Sequence, residues 1–199
     1  DFDLIAVHPK PIIGFSDATI LLNAISARTG QTTYHGPMVI SFGWPPFDDQ
    51  QNYDDLIRAL DGTRTTIPLK GAHGAFDRAI TGKIYGTPYL PDLSGAILFF
   101  EDIGMELSHF DRTLCSMKLA GLFDRAAALI FGGFTDMIDT GRPFGFTVDQ
   151  IIAAHTAGLN KPIITNAPFG HISYNTTLPV GAMVTLDARG GIPTLTLEK

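Results

Sequence analysis

The chain has 199 residues, of which 45% are hydrophobic and 17% charged, and its formal net charge is -6. So much apolar material with so few charges excludes intrinsic disorder over most of the length. An acidic balance without any run of Lys or Arg argues against nonspecific nucleic-acid binding, which needs clustered cations to displace counterions. The single cysteine, Cys115, excludes an intrachain disulfide framework and a cysteine-based zinc site.

The length fits one large domain or two small ones. No apolar run approaches the ~20 residues needed to span a bilayer, so no membrane partner is expected. The chain shows no secretory signal, which makes the cytoplasm the expected location, although its opening at Asp1 rather than Met suggests an N-terminus further upstream.

In chain order, Lys10–Gly14 is a short apolar run of buried-strand form. Ser16 or Asp17 then caps a predicted helix with Ile20, Leu21, Ala24 and Ile25 on its inner face, closed by Gly30. Thr32–Tyr34 reads as a second strand, completing a strand–helix–strand unit and hence a parallel sheet. Ser41–Asp49, rich in Gly, Pro, Trp and Phe, reads as a loop. Tyr53–Leu60 is expected to be an amphipathic helix with Leu56, Ile57 and Leu60 inward. The stretch Pro68–Gly82 has no clear period, and a boundary between two lobes is placed there, dividing the chain into residues 1–68 and 69–199.

Gly86–Pro91 reads as the turn-rich opening of the second lobe. Ala96–Phe100 is a predicted apolar strand ending abruptly at Glu101 and Asp102. Further on, the pattern predicts a helix over His109–Ala120 with Cys115 a buried thiol. A strand follows over Ala126–Phe131, then a helix over Val148–Ala157 and a strand over Pro162–Thr165. A hairpin made of Ala182–Leu186 and Thr194–Leu197 around Arg189-Gly190-Gly191 closes the list of elements. The fold class is therefore α/β in two lobes, a parallel-sheet, Rossmann-like N-terminal lobe and a mixed α/β C-terminal lobe.

Three places carry potential chemistry. Glu101 and Asp102 follow a buried strand, so at least one sits where the carboxyl edge of an α/β sheet opens into a ligand crevice. His171 lies past another strand, in Pro168-Phe169-Gly170-His171, where a loop imidazole can work as a general base near neutral pH. Together they suit the acid and base of a hydrolase triad. Gly14-Phe15-Ser16-Asp17-Ala18 lies between a strand and a helix, as a nucleophile elbow does, but helix capping by Ser16 or Asp17 explains the same residues. His8, His35, His73, His109 and His155 contain no His-x-x-x-His pair, and no phosphate-cradling glycine motif occurs; no metal and no cofactor are expected.

The whole chain resembles the LD-carboxypeptidases, a serine peptidase group that also contains the microcin C immunity peptidase. The matching pieces run in family order: Pro9-Lys10-Pro11-Ile12-Ile13-Gly14-Phe15-Ser16-Asp17-Ala18-Thr19, His35-Gly36-Pro37, Gly86-Thr87-Pro88-Tyr89-Leu90-Pro91-Asp92 and Ile97 to Gly104. Asp111-Arg112-Thr113-Leu114 through Gly121, Phe131 to Met137, Pro168 to His171 and Thr177 to Gly181 complete the set. One departure is Ala79 to Ile84, which replaces a Gly-Gly-Asn-Leu stretch of the family and puts the form of the local loop in question.

The resemblance implies two lobes, with Glu101 and His171 as the triad glutamate and histidine. It demotes Ser16, placing the nucleophile upstream of Asp1, and implies that this chain alone turns nothing over. It further implies a murein tetrapeptide substrate that loses its terminal D-alanine in peptidoglycan recycling, and a homodimer. A microcin C immunity-type peptidase and a non-catalytic binding module are the alternatives. Arg112 and Arg142 are candidates to hold the substrate's terminal carboxylate. The Trp44 and Phe47 loop suits either a substrate cover or packing between lobes.

Overall fold

The computed structural model describes residues 1–45, 47–74, 76, 79–85 and 92–198. Two sheets organise it. The smaller one is built from β1 (Ile13–Gly14), β2 (Thr33–His35) and β8 (Leu178–Val180), with β1 and β2 parallel and β8 antiparallel to β2. Its helices are α1 (Phe2–Val7), which the sequence pattern did not announce, and α2 (Ala18–Thr29), which Gly30 ends in a left-handed conformation.

The larger sheet has the order β3-β10-β9-β4-β5-β6-β7. Its strands are β3 (Thr66–Pro68), β4 (Ile80–Tyr85), β5 (Ile97–Ile103), β6 (Ala128–Thr135), β7 (Ile163–Ile164), β9 (Met183–Asp187) and β10 (Thr194–Leu197). The half from β4 to β7 is parallel and the half from β9 to β3 is antiparallel. The molecule is thus a mixed α/β fold in two lobes, and the predicted C-terminal hairpin is present as β9 and β10. β3 and β4 arise in the stretch for which the sequence showed no period, and Ala79 to Ile84 forms most of strand β4 rather than a loop. The expected division between residues 68 and 69 falls at the end of β3. The sheets exchange chain across it, because β3 joins the larger sheet and β8 the smaller. The expected opening turn at Gly86–Pro91 lies outside the described residues.

The core lies on the parallel half. Ile97, Leu98 and Phe99 of β5 and Leu129, Ile130 and Phe131 of β6 are buried together with Phe123 and Phe169. Each such side chain contributes roughly 1.5–3 kcal/mol through its removal from water. Helices α4 (Leu107–Leu119) and α6 (Val148–Thr156) pack against each other, and the short α5 (Leu122–Arg125) links α4 to β6. Cys115 on α4 is half-buried rather than buried. Among the described residues no helix is long and apolar enough to cross a membrane.

Two helices present faces other than those expected. In α2 the buried residues are Thr19, Leu22, Asn23 and Ser26, whereas Ile20 and Leu21 are exposed. In α3 (Asp49–Leu60) they are Asn52, Asp55 and Leu56, with Ile57 exposed. In both, polar side chains find buried partners: Ser26 donates to the Val180 carbonyl of β8, and the α3 residues bind the loop that carries His171. Satisfied hydrogen bonds make a polar face buriable.

Candidate active site

Glu101 belongs to β5 rather than following it. Phe100 pairs with Phe131 and Asp102 with Phe134, so Gly132 and Gly133 together oppose Glu101 in a β-bulge. Bulges bend a strand and re-aim the side chain at that point. The two glycines also let the His171 loop lie against the sheet. A Cβ on Gly132 would fall 2.4 Å from the Phe169 ring, and one on Gly133 would fall 2.6 Å from Ile172. The Gly133 N–H donates to the Phe169 carbonyl at 2.9 Å.

The loop is held from its other side by α3. Asn52 Nδ2 donates to the Ser173 carbonyl and its Oδ1 accepts the Asn175 N–H, both at 2.9 Å. Asn175 Oδ1 in turn accepts the Gly170 N–H at 2.9 Å. His171 therefore arrives at Glu101 on a braced backbone, and its Nδ1 stands 2.8 Å from Glu101 Oε2. In the neutral imidazole this bond fixes the proton on Nδ1 and leaves Nε2 as an acceptor. The structure thus brings together the two residues that the sequence singled out.

Burial by itself would raise the Glu101 carboxyl's pKa. The hydrogen bond from His171, with the proximity and charge of His35 and His171, outweighs burial and holds it at about 2. The same hydrogen bond raises the His171 pKa above 6.5, against the opposing effect of partial burial. Asp102 is raised, chiefly by burial.

Ser16 does not cap α2. Asp17 occupies the cap position without a side-chain hydrogen bond, and among the described residues the Ser16 hydroxyl accepts none either. The turn is closed by backbone alone, with the Thr19 N–H donating to the Ser16 carbonyl at 2.9 Å. Ser16 has φ 57°, a left-handed conformation that a non-glycine residue rarely takes. Gly14 before it is tightly required, since a Cβ there would meet the Ala18 Cβ at 2.8 Å. A strained serine between a strand and a helix, flanked by small residues two positions either side, has the form of a nucleophile elbow.

Phe15 carries the elbow to His171, with the two rings 4.9 Å apart. Ser16 and His171 border two cavities. One, of about 200 Å³, is polar and is lined also by Asp17, His35, Glu101 and Asp102. The other, of about 520 Å³, is apolar and is lined by Phe15, Met38, Ile40 and Trp44. Trp44 stacks on Phe47, which packs edge-on against Phe15, so the aromatic loop borders the site. Arg112 and Arg142 are exposed and line neither cavity; Arg142 borders a separate hollow with Glu106 and Asp139. Among the described residues no His, Cys, Asp and Glu cluster could hold a metal ion.

Models of the LD-carboxypeptidase N-terminal and C-terminal domains match residues 1–36 and 78–186. The chain belongs to the LD-carboxypeptidase family. Among its relatives in that family, a probable murein peptide carboxypeptidase of Bacillus subtilis is 29% identical over 204 residues, covering 94% of this chain and 63% of the relative. The microcin C7 self-immunity protein MccF of Escherichia coli is 28% identical over 232 residues, covering 94% and 65%. The chain thus spans less than two thirds of the length of these relatives. Among solved structures, the muramoyltetrapeptide carboxypeptidase of Oxalobacter formigenes superposes on all of this chain and 72% of its own, with a TM-score of 0.83 and 25% identity. MccF in complex with glutamyl sulfamoyl guanosine matches with a TM-score of 0.85 at 23% identity, a likeness of fold.

Two features of this candidate site were not legible as such in the sequence. Ser16 stood there as an elbow candidate that both helix capping and the family resemblance demoted, and its φ is what bears against capping. His35 was counted among scattered histidines, although it stands in the His35-Gly36-Pro37 piece that carries part of the family likeness.

Proposed function

We propose that this protein is a serine peptidase of the LD-carboxypeptidase type in which Ser16, His171 and Glu101 form the triad. The observation that carries this reading is the left-handed Ser16, uncapping and exposed, on the same two cavities as the His171–Glu101 pair. It replaces the expectation of a nucleophile upstream of Asp1, which rested on the family resemblance, and it is supported by the absence of the capping bond that offered Ser16 another role.

In the reaction, Ser16 Oγ forms a bond to the scissile carbonyl carbon while His171 Nε2 takes its proton. Glu101 holds the imidazole in the required tautomer and stabilises the imidazolium. The amide C–N bond then breaks and His171 returns the proton to the leaving amine. Water, deprotonated by the same imidazole, hydrolyses the Ser16 ester. The Asp17 N–H, at the start of α2 and without a partner among the described residues, is placed to stabilise the oxyanion, as the residue after an elbow serine does.

The substrate we propose is a murein tetrapeptide that loses its terminal D-alanine, in cytoplasmic peptidoglycan recycling and by a homodimer; these three features rest on the family likeness. The apolar cavity beside Ser16, walled by Trp44, favours a second reading, an immunity-type peptidase that cleaves a peptide–nucleotide amide and seats the base there. The test is to assay amine release from both substrates by the protein and by Ser16→Ala, Glu101→Gln and His171→Ala. Each variant is expected to lose several orders of magnitude in kcat. Full turnover by Ser16→Ala would assign the nucleophile to another residue, and turnover of neither substrate would favour a binding module.

A further inference from the structure

We infer that His35 is a positioning residue that holds the free oxygen of Glu101, an assignment that rests on the triad proposed above. The imidazole closes β2 and its side chain is 1% exposed. Phe99, Phe169 and Phe15 surround it edge-on, at ring separations of 5.0, 6.0 and 6.3 Å. Neither ring nitrogen has a hydrogen-bond partner among the described residues. An imidazole enclosed in this way is costly unless it has a polar task.

The polar group it faces is the carboxylate. His35 Nε2 stands 3.8 Å from Glu101 Oε1, roughly half an ångström beyond the N–H···O range, while Oε2 is taken by His171. A small rotation of either side chain closes the gap. With a donor on each oxygen, the carboxylate cannot turn about its terminal torsion, and Oε2 stays on His171 Nδ1 as the imidazole gains and loses its proton.

His35 also ties the two lobes together at this point. In the smaller sheet Gly14 pairs with His35, and the Gly36 N–H donates to the Gly14 carbonyl at 2.9 Å. The strand that leads to Ser16 is thus in register with the residue that meets Glu101 from the larger sheet. Holding Glu101 through His35 sets the separation between nucleophile and base, a quantity to which rates are steeply sensitive.

The experiment compares His35→Phe, His35→Gln and His35→Asn in the protein, measuring kcat, KM, the pH profile of kcat/KM and thermal unfolding. The Phe variant keeps the ring packing and loses the donor. Its kcat is expected to fall about 10- to 100-fold with KM within roughly threefold. Its acidic limb should move to higher pH, since the carboxylate's whole charge then bears on His171. Gln reaches far enough to donate and should restore most of the loss, whereas Asn is too short and should not.

Parent kcat and an unmoved limb in the Phe variant would overturn the inference. So would a loss that tracks only the unfolded fraction. If the Phe variant does not fold, equal kcat in the Asn and Gln variants would overturn it. Glu101→Gln and His171→Ala run beside these: retained turnover in them sinks the triad and the inference with it, while their loss beside an unaffected His35→Phe sinks the inference alone.

Discussion

Gly170 lies so close to Glu101 that a Cβ on it would stand 2.8 Å from both the Cβ and Oε2 of that residue. The glycine has φ 106°, a conformation L side chains rarely adopt, and its N–H is held by Asn175 Oδ1. Backbone of the His171 loop thus serves as one wall of the carboxylate's seat. The proximity that gives the 2.8 Å bond between His171 and Glu101 exists because no side chain separates the two segments.

Gly170→Ala should therefore damage the site more than the fold. The strained φ costs about 1–3 kcal/mol, whereas displacement of Oε2 by the new methyl misplaces the imidazole. A shift near 1 Å is worth about 100-fold in rate. Thermal unfolding and kcat measured on the same preparation check this. A fall in melting temperature with kcat unchanged would mean that the loop moves away without taking His171 with it.

Much of this site could be read from residues alone, because the signals were local. An apolar run such as Ala96 to Phe100 reads as a buried strand, and a carboxylate at its end stands out; the loop His171 stands out in the same way. The parts that escaped share a physical cause. Hydrophobic periodicity presumes that buried faces are apolar, and α2 and α3 bury Asn23, Ser26, Asn52 and Asp55 instead. Their apolar residues Ile20, Leu21 and Ile57 then mark the wrong face. The strands β3 and β4 pair with β10 and β9, far away in sequence, and nothing local in Pro68–Gly82 signals those partners. Ser16 shows a third limit, since a capping serine and an elbow serine have the same neighbours and differ in one dihedral angle.

For the proposed triad, the pH dependence of activity follows from the direction in which each group is shifted. His171 must be unprotonated to take the serine proton, and its hydrogen bond with Glu101 raises its pKa above 6.5. The acidic limb of kcat/KM is thus expected above pH 6.5. In Glu101→Gln the carboxylate's pull is gone, and the limb of the residual activity should move to lower pH. Stability runs differently for the two groups. Glu101, held at about 2 against an ordinary 4.5, contributes stability that is complete above pH 4.5 and disappears as pH falls towards 2. His171, raised, contributes below pH 6.5, and that part is lost as pH rises through its folded-state value. Rate profiles and pH-dependent melting of the parent and Glu101→Gln test both statements; an unmoved limb in the variant would show that Glu101 does not govern the base.

The polar face of α3 gives the last prediction. Asp55 is buried, with its side chain 3% exposed, and it is paired with Arg64, 8% exposed. Asp55 Oδ2 also accepts the Thr177 N–H at 2.8 Å and the Thr176 hydroxyl at 3.1 Å, and Arg64 donates to the Thr177 carbonyl. Three residues earlier, Asn52 binds Ser173 and Asn175 of the same loop. Removing one member of a buried ion pair leaves the other charge without compensation, so Asp55→Ala should cost about 3–5 kcal/mol. Asn52→Ala strands the buried Asn175 N–H, while the Ser173 carbonyl keeps the Asp48 N–H, and should cost about 1–3 kcal/mol. The two act on one loop, so their effects should fall short of additivity in a double-mutant cycle. Because Ser173 and Asn175 lie two and four residues after His171, Asn52→Ala should also lower kcat at temperatures where the protein remains folded. Denaturant unfolding together with kcat for the single and double variants measures each quantity. Additive losses of stability with parent kcat would mean that α3 braces the fold and leaves the position of His171 to Glu101 and the β6 bulge.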